Sequence, residues 1–343
     1  MHQLLNTLYV NTEGSYLRLD HDTLKISVEK EMKLQIPLHH LGGVVCFGDV
    51  LLSPALMRRC GEDGRSLVLF DRNGRFKARV EGPTSGNVLL RRAQHEASSD
   101  KDKTLSLAKK IVAGKIQNCR QVLMRAAREA QDSEDELPLR DATTVLAGAL
   151  ERLSRCDDID RLRGIEGESA RAYFDCFDRM VREDRESFRL DGRNRRPPRD
   201  PMNALLSFLY ALLTTDCVAA AEGVGLDPQV GFLHALRPGR AALALDLMEE
   251  LRPILADRLA LTLVNRRQVT AGNFDDRPGG AVYLGEEGRK TVVVAYQNRK
   301  QEEILHPLLE QKVPLGLVPH LQARLLARTL RGDMDDYVPF LYR

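Results

Sequence analysis

The feature that most constrains the fold is a change of hydrophobic period near residue 85. Before it, apolar and polar residues alternate. Leu24, Ile26 and Val28 stand against Lys25, Ser27 and Glu29, and Phe76, Ala78 and Val80 against Arg75, Lys77 and Arg79. A period of two turns one face of a strand to a core. The apolar runs Gly43 to Phe47 and Ser66 to Phe70 read as further strands, and Asp71-Arg72-Asn73-Gly74 as a hairpin turn. One helix interrupts, with Ser53 as N-cap, Pro54 at the first helical position and Gly61 as the stop. Gly82-Pro83-Thr84-Ser85-Gly86 has linker composition, and beyond it the period is helical. A chain of 343 residues is long enough for two cores. The expected fold is α+β: a small N-terminal β-sandwich or roll over residues 1–85, suited to packing or dimerisation, joined to a larger, mainly α-helical catalytic domain over 86–343 with one β-hairpin.

The formal net charge is only +2, so a nucleic-acid signal must come from local clusters. The six cysteines form no CxxC pair. That disfavours a zinc knuckle and predicts reduced thiols in a cytoplasm. The N-terminus lacks a signal-peptide pattern. The apolar run Ala204 to Leu213 is too short for a bilayer, which takes ~20 residues, so no membrane association is expected. Walker, HExxH, GxSxG and GxGxxG motifs are absent.

In the second part, residues 87–97 and 104–130 read as helices. The second carries Lys109, Lys110, Lys115, Arg120, Arg125 and Arg128, which composition alone assigns to a solvated face. Gln131 to Glu136 is acidic and reads as a loop. From Asp157 onward, Glu166 shares an inward stripe with Ala170, Tyr173 and Phe177, whereas Glu168 lines up with Arg171, Asp175 and Arg179 on the outside. A carboxylate heading an apolar stripe needs a partner, a metal or a pocket mouth. A helix-terminal carboxylate is the plainer alternative for Glu166, and a surface ion pair for Glu168. Arg179 to Arg189 reads as an ordinary solvated helix. The arginines of Gly192-Arg193-Asn194-Arg195-Arg196-Pro197-Pro198-Arg199 have no neutralising neighbour before Asp200 and suit phosphate contacts as well as plain surface. Met202 to Glu222 is a central apolar helix. Its Asn203, Ser207, Tyr210 and Thr214 fall on one stripe, as a buried hydrogen-bond ladder that can orient neighbouring ligands.

Gly231 to Pro253 carries His234, the Arg237-Pro238-Gly239-Arg240 loop and a helix with Leu243, Leu247, Leu251 and Ile254 on one face. Asp246 and Glu249 leave that helix together. Gly280 to Gln297 reads as a β-hairpin around Gly285-Glu286-Glu287-Gly288, and Leu321 to Arg331 as the last helix. His39-His40, read in a strand, point to opposite faces. His306 and His320, beside prolines, read as structural. The aromatic end Tyr337 to Arg343 reads as docked or partner-binding. What remains as chemistry is Glu166, His234, Asp246 and Glu249 on separate elements. Mixed oxygen and nitrogen donors favour Mg²⁺ or Mn²⁺, and nearby arginines make a phosphodiester the natural substrate.

At these residues the chain resembles the CRISPR-associated Cas1 integrase family. The matching segments are Arg163 to Ala170, Gly192 to Pro198, Asn203 to Tyr210, Gly231 to His234, Arg237 to Arg240 and Leu245 to Arg252, with Leu4 to Val10 and the strand from Gly74 in the N-terminal part. Among its branches the chain looks most like type I-C. The resemblance implies a homodimer that joins a small ferredoxin-like partner, Cas2, and works on double-stranded DNA, both protospacer and CRISPR repeat. It implies metal-assisted joining of protospacer 3′-hydroxyls to the repeat. It places the family's metal-binding residues on Glu166, His234 and Glu249, with Asp246 as a further acidic position. Asn203 and Tyr210 would support them, and Arg193, Arg195, Arg196, Arg237 and Arg240 would hold DNA. A non-catalytic DNA-binding scaffold with a vestigial site, and a hydrolase of small phosphoesters, are the competing readings.

Overall fold

The computed structural model describes residues 7–82, 88–190, 192–194 and 196–342. The N-terminal part is built from β1 (Thr7–Val10), β2 (Tyr16–Asp20), β3 (Thr23–Val28), β4 (Glu31–Pro37), β5 (Gly43–Phe47), β6 (Leu51–Leu52), helix α1 (Pro54–Glu62), β7 (Ser66–Phe70) and β8 (Phe76–Val80). They form two four-stranded sheets, ordered β1-β5-β7-β8 and β4-β3-β2-β6. The first sheet is mixed: β5 pairs in parallel with β1 and β7, and β7 pairs antiparallel with β8 across the expected turn, where Gly74 has φ +74°. Ser53 caps α1 by accepting from the Leu56 amide, with Pro54 in the first turn.

The strand β5 decides how the two parts meet. All five of its residues are buried, so both faces are covered. Val44 and Cys46 join Leu17, Leu24, Leu56 and Leu67 in the core between the sheets and α1. Val45 and Phe47 point the other way and join the helical core. A period-two strand buried on both sides is the reason its sequence is apolar throughout. Phe47 and Phe208 rings lie 5.5 Å apart across this junction. A side chain at Gly74 would reach 2.5 Å from the Phe208 ring, so that turn tolerates only glycine as packed.

The helical part contains α2 (Val88–Ser99), α3 (Lys101–Glu129), α4 (Ser133–Ser154), α5 (Ile159–Asp175), α6 (Pro201–Gly223), α7 (Ala242–Leu251) and α8 (Arg258–Asn265). Next come β9 (Phe274–Arg277), β10 (Ala281–Leu284), α9 (Glu286–Gln301), β11 (Glu303–His306), β12 (Gln311–Pro314) and α10 (Val318–Arg331). Asp100, Asp132, Asp158 and Asp200 cap α3, α4, α5 and α6 by accepting first-turn amides. Helix α6 is long and apolar enough to cross a membrane by length and composition, but most of it is buried inside this fold. The six cysteines are free and buried.

Several local expectations change. The acidic stretch from Ser133 is the first turn of α4, because Asp132 caps it and acids favour a helix N-terminus. The segment 286–301 is a helix, not the second arm of a hairpin. Its buried residues Gly288, Val292, Val293 and Tyr296 repeat at three and four, which outweighs the β-branched run. Instead β10 pairs with β9, and β11 with β12, so the described residues of the helical part hold two hairpins where one was expected. Residues 181–190 are turns and bends after a short 3₁₀ segment, Phe177–Met180, rather than a solvated helix. His39 and His40 lie on a 3₁₀ turn with their rings 4.2 Å apart, so the opposite-face argument does not apply to them. The 85/86 boundary falls at residues 83–87, outside the described ones.

Candidate active site

Four elements build the site. Helix α5 supplies Glu166, α7 supplies Asp246 and Glu249, the loop before α7 supplies His234, and α3 supplies Lys115.

Asp246 organises the loop. It is fully buried. Its Oδ2 accepts from the amides of Phe232 (2.6 Å) and Leu233 (3.0 Å), and its Oδ1 accepts from the His234 amide (3.0 Å). The His234 Nδ1 lies 2.7 Å from the same Oδ1. With acceptor oxygen opposite Nδ1, the neutral ring carries its proton on that nitrogen and turns the Nε2 lone pair the other way. Gly231 is needed here: a Cβ would come 2.7 Å from both the Ala242 backbone and Asp246 Oδ2. Asp246 is thus a brace for the loop and for the imidazole, its oxygens spent on the loop.

Glu249, three residues on, approaches the other nitrogen of the same ring. Its Oε1 lies 3.9 Å from His234 Nε2 and 3.3 Å from Arg252 Nη1, and its Oε2 lies 2.6 Å from Lys115 Nζ. Burial opposes its charge, but Arg252 and then Lys115 hold its carboxyl well below the usual range. Lys115 also donates to Glu166 Oε1. Burial by itself would lower the lysine's value; attraction from Glu249, and then Glu166, more than offsets this and leaves it raised. The sequence places Lys115 among solvated cations, yet its side chain is 3% exposed. The signal was present: Ala108, Ile111, Val112, Lys115, Cys119 and Val122 share one helical stripe and are all buried. Glu166 stands well inside α5, so the helix-terminus alternative fails. Glu168 pairs with Arg152 at 2.7 Å on the surface.

A cleft of about 350 Å³ opens beside the cluster, with Lys115, Arg171, Arg193 and Arg252 in its walls. Arg252 and Arg193 place their guanidinium carbons 4.8 and 5.0 Å from the centre of the Tyr210 ring. The Tyr210 hydroxyl donates to Asp257 at 2.6 Å. Arg193 also donates to Asn203 Oδ1. Asn203 is fully buried and donates to Gly192 O (3.0 Å) and Asp200 Oδ2 (2.7 Å). The ladder on α6 therefore fixes the arginine loop and the cleft wall. Arg252 and Asp257, whose roles sequence reasoning missed, bound a six-residue π-helical turn, Arg252–Asp257, that links α7 to α8. Arg196 and Arg237 are exposed, Arg240 half-buried. Arg195 lies outside the described residues.

Among the described residues, no three His, Cys, Asp or Glu side chains are arranged as they stand to hold a metal ion. The ammonium of Lys115 lies between the two carboxylates. The donor chemistry nevertheless fits a divalent cation. Two carboxylates share one ammonium, an imidazole nitrogen lies 3.9 Å from the second of them, and Glu249 Oε2 is buried with no hydrogen bond of good geometry, facing only a positive charge.

Comparison with known proteins agrees with the architecture. The family model described as CRISPR associated protein Cas1 matches residues 8–298. A protein of Moorella thermoacetica named CRISPR-associated endonuclease Cas1 1 is 63% identical over 343 residues, covering 100% of both chains. A Rhodospirillum rubrum protein of the name CRISPR-associated endonuclease Cas1 2 is 52% identical, again over 100% of both. Among solved structures, a Cas1 protein from Thermotoga maritima superposes with TM-score 0.82 at 25% identity, covering 97% of this chain and 98% of that one.

Proposed function

Because the chain belongs to the CRISPR-associated Cas1 family, we propose that it is a divalent-metal-dependent DNA endonuclease and integrase of CRISPR adaptation, joining protospacer 3′-hydroxyl ends to phosphodiesters of the CRISPR repeat. The observation that carries this reading is that Lys115 joins Glu166 to Glu249, that His234 Nε2 lies 3.9 Å from Glu249 Oε1, and that Glu166 lines an arginine-walled cleft beside them.

Glu166, His234 and Glu249 would hold Mg²⁺ or Mn²⁺, which when bound polarises a phosphoryl oxygen and acidifies an attacking hydroxyl. The chain's own groups do the rest. Asp246 keeps the His234 proton on Nδ1, so that Nε2 faces the site as a donor atom. Arg252 holds the same Glu249 oxygen that His234 approaches and presents positive charge to the cleft. Arg193, held by Asn203 over Tyr210, would meet one strand's phosphates. The Arg237–Arg240 loop, which begins three residues after His234, and Arg195 and Arg196 would hold the other strand. The homodimer through the domain at residues 1–85, the Cas2 partner, the cytoplasmic location and the type I-C branch belong to the same proposal, on the strength of family resemblance.

The test is a joining assay with a forked duplex, a repeat-bearing plasmid, the Cas2 subunit and Mn²⁺. Joined products are expected with Mn²⁺ and are lost with chelator or in Glu166→Ala. Joining by Glu166→Ala at the parental rate refutes the site. DNA binding without divalent-dependent joining or cutting favours the scaffold reading.

A further inference from the structure

Lys115 is the one strongly buried cation at this site that the proposed chemistry does not use. Its ammonium contacts both Glu166 and Glu249 and is 3% exposed. Without it, the buried carboxylate of Glu249 would face that of Glu166, which is 26% exposed at the edge of the cleft, with no cation between them, and this is electrostatically costly. Arg252 neutralises Glu249 from another direction, at 3.3 Å. The contact to Glu166 is the lysine's own.

We propose that the Lys115 ammonium is a resident counter-cation that holds the metal-free site in shape, and that a divalent ion gains Glu166 and Glu249 by displacing it. The inference rests on the reading of these residues as metal ligands. Three features of the structure support it. First, a lysine on the apolar stripe of α3 between Ile111 and Cys119 has no packing rationale that leucine or methionine would not meet better. Its charge is what the position requires. Second, an ammonium and a divalent ion want the same carboxylate oxygens, and close cations repel each other strongly where water is scarce. Third, the displaced side chain has somewhere to go. The 350 Å³ cleft borders Lys115 directly, and its wall includes Asp175, an exposed carboxylate. A four-carbon stem reorients without backbone movement.

The lysine therefore acts as a positioning residue with a cost: it keeps the ligands together before metal arrives and competes with the metal afterwards. A purely structural lysine would do only the first. Mn²⁺ titration by calorimetry of the full-length protein, with melting in chelator and in Mn²⁺, separates the two. Lys115→Met is expected to bind Mn²⁺ at least about tenfold more tightly than the parent, since a competing unit charge is gone. It should melt lower than the parent in chelator, and Mn²⁺ should close most of that gap. Equal or weaker Mn²⁺ affinity in Lys115→Met, or the same melting deficit with and without Mn²⁺, overturns the proposal. Should Lys115→Met not fold, the parent answers alone. Acetylation of Lys115 by acetic anhydride, with acetate as the leaving group and read by peptide mass spectrometry, should be slow in chelator and several-fold faster with Mn²⁺; an unchanged rate overturns the proposal. If the parent binds no Mn²⁺ that Glu166→Ala lacks, the metal reading itself fails, a result distinct from the others.

Discussion

The loop that presents His234 depends on one carboxylate, and Asp246→Asn measures how much. The substitution keeps size and removes one acceptor oxygen together with the charge. Asp246 is 0% exposed and each of its oxygens accepts two hydrogen bonds. Whichever way the amide turns, its NH₂ group meets two N–H donors that had an oxygen. With the NH₂ at the Oδ2 position, the Phe232 and Leu233 amides lose their partner. With it at Oδ1, the His234 amide does, and Nδ1 must change from donor to acceptor, which moves the ring proton to Nε2. Hydrogen bonds to a charged acceptor contribute ~1.5–3 kcal/mol each, so two give ~3–6 kcal/mol. The amide is cheaper to bury than the carboxylate, so the low end, about 3 kcal/mol, is expected. Hydrogen exchange reads this locally. The amides at 232–234 should lose about two orders of magnitude of protection, 1.4 kcal/mol being a factor of ten. Amides in β5 should change less. Loss of less than tenfold at all three positions would refute the idea that Asp246 carries this loop. If the loop holds but Mn²⁺ binding weakens, the moved ring proton is the cause, because Nε2 then has no lone pair to offer.

Two further outcomes concern the C-terminal segment. Burial pushes the Glu250 carboxyl up to about 8 from an ordinary 4.5, against the opposing bonds from Phe340, Tyr337 and Gln322. A value raised on folding means the protonated form is favoured in the fold. Its contribution is fully present below pH ~4.5 and is lost as pH rises through ~8, up to on the order of 5 kcal/mol. Glu250→Gln should flatten the stability profile between those limits; parallel profiles for parent and variant would contradict the assignment. Phe340→Ala should cost about 3–5 kcal/mol by opening a cavity, because the ring is 1% exposed and its amide donates to Glu250 at 2.8 Å. A melting temperature unchanged in this variant would mean the tail is not docked.

The sequence by itself determined the elements whose cause is local. Ser53 and Asp200 cap helices because their oxygens reach amides three residues away, and Gly74 turns a hairpin because it alone enters positive φ freely. The alternation of Leu24, Ile26 and Val28 and the helical stripe of Leu243, Leu247 and Leu251 follow from the fixed repeat of each backbone. Glu166 was legible as the odd carboxylate on an apolar stripe. Tertiary structure decided the rest. Residues 286–301 carry a strand-like run of valines, and only burial against neighbouring elements made them a helix. The parallel pairing of β5 with β1 and β7 is set by covering both faces of one strand, which no local window contains. Lys115 and Glu166 are 51 residues apart in the chain, so their pairing leaves no local trace. Charge compensation acts through space, whereas periodicity and capping act along the chain.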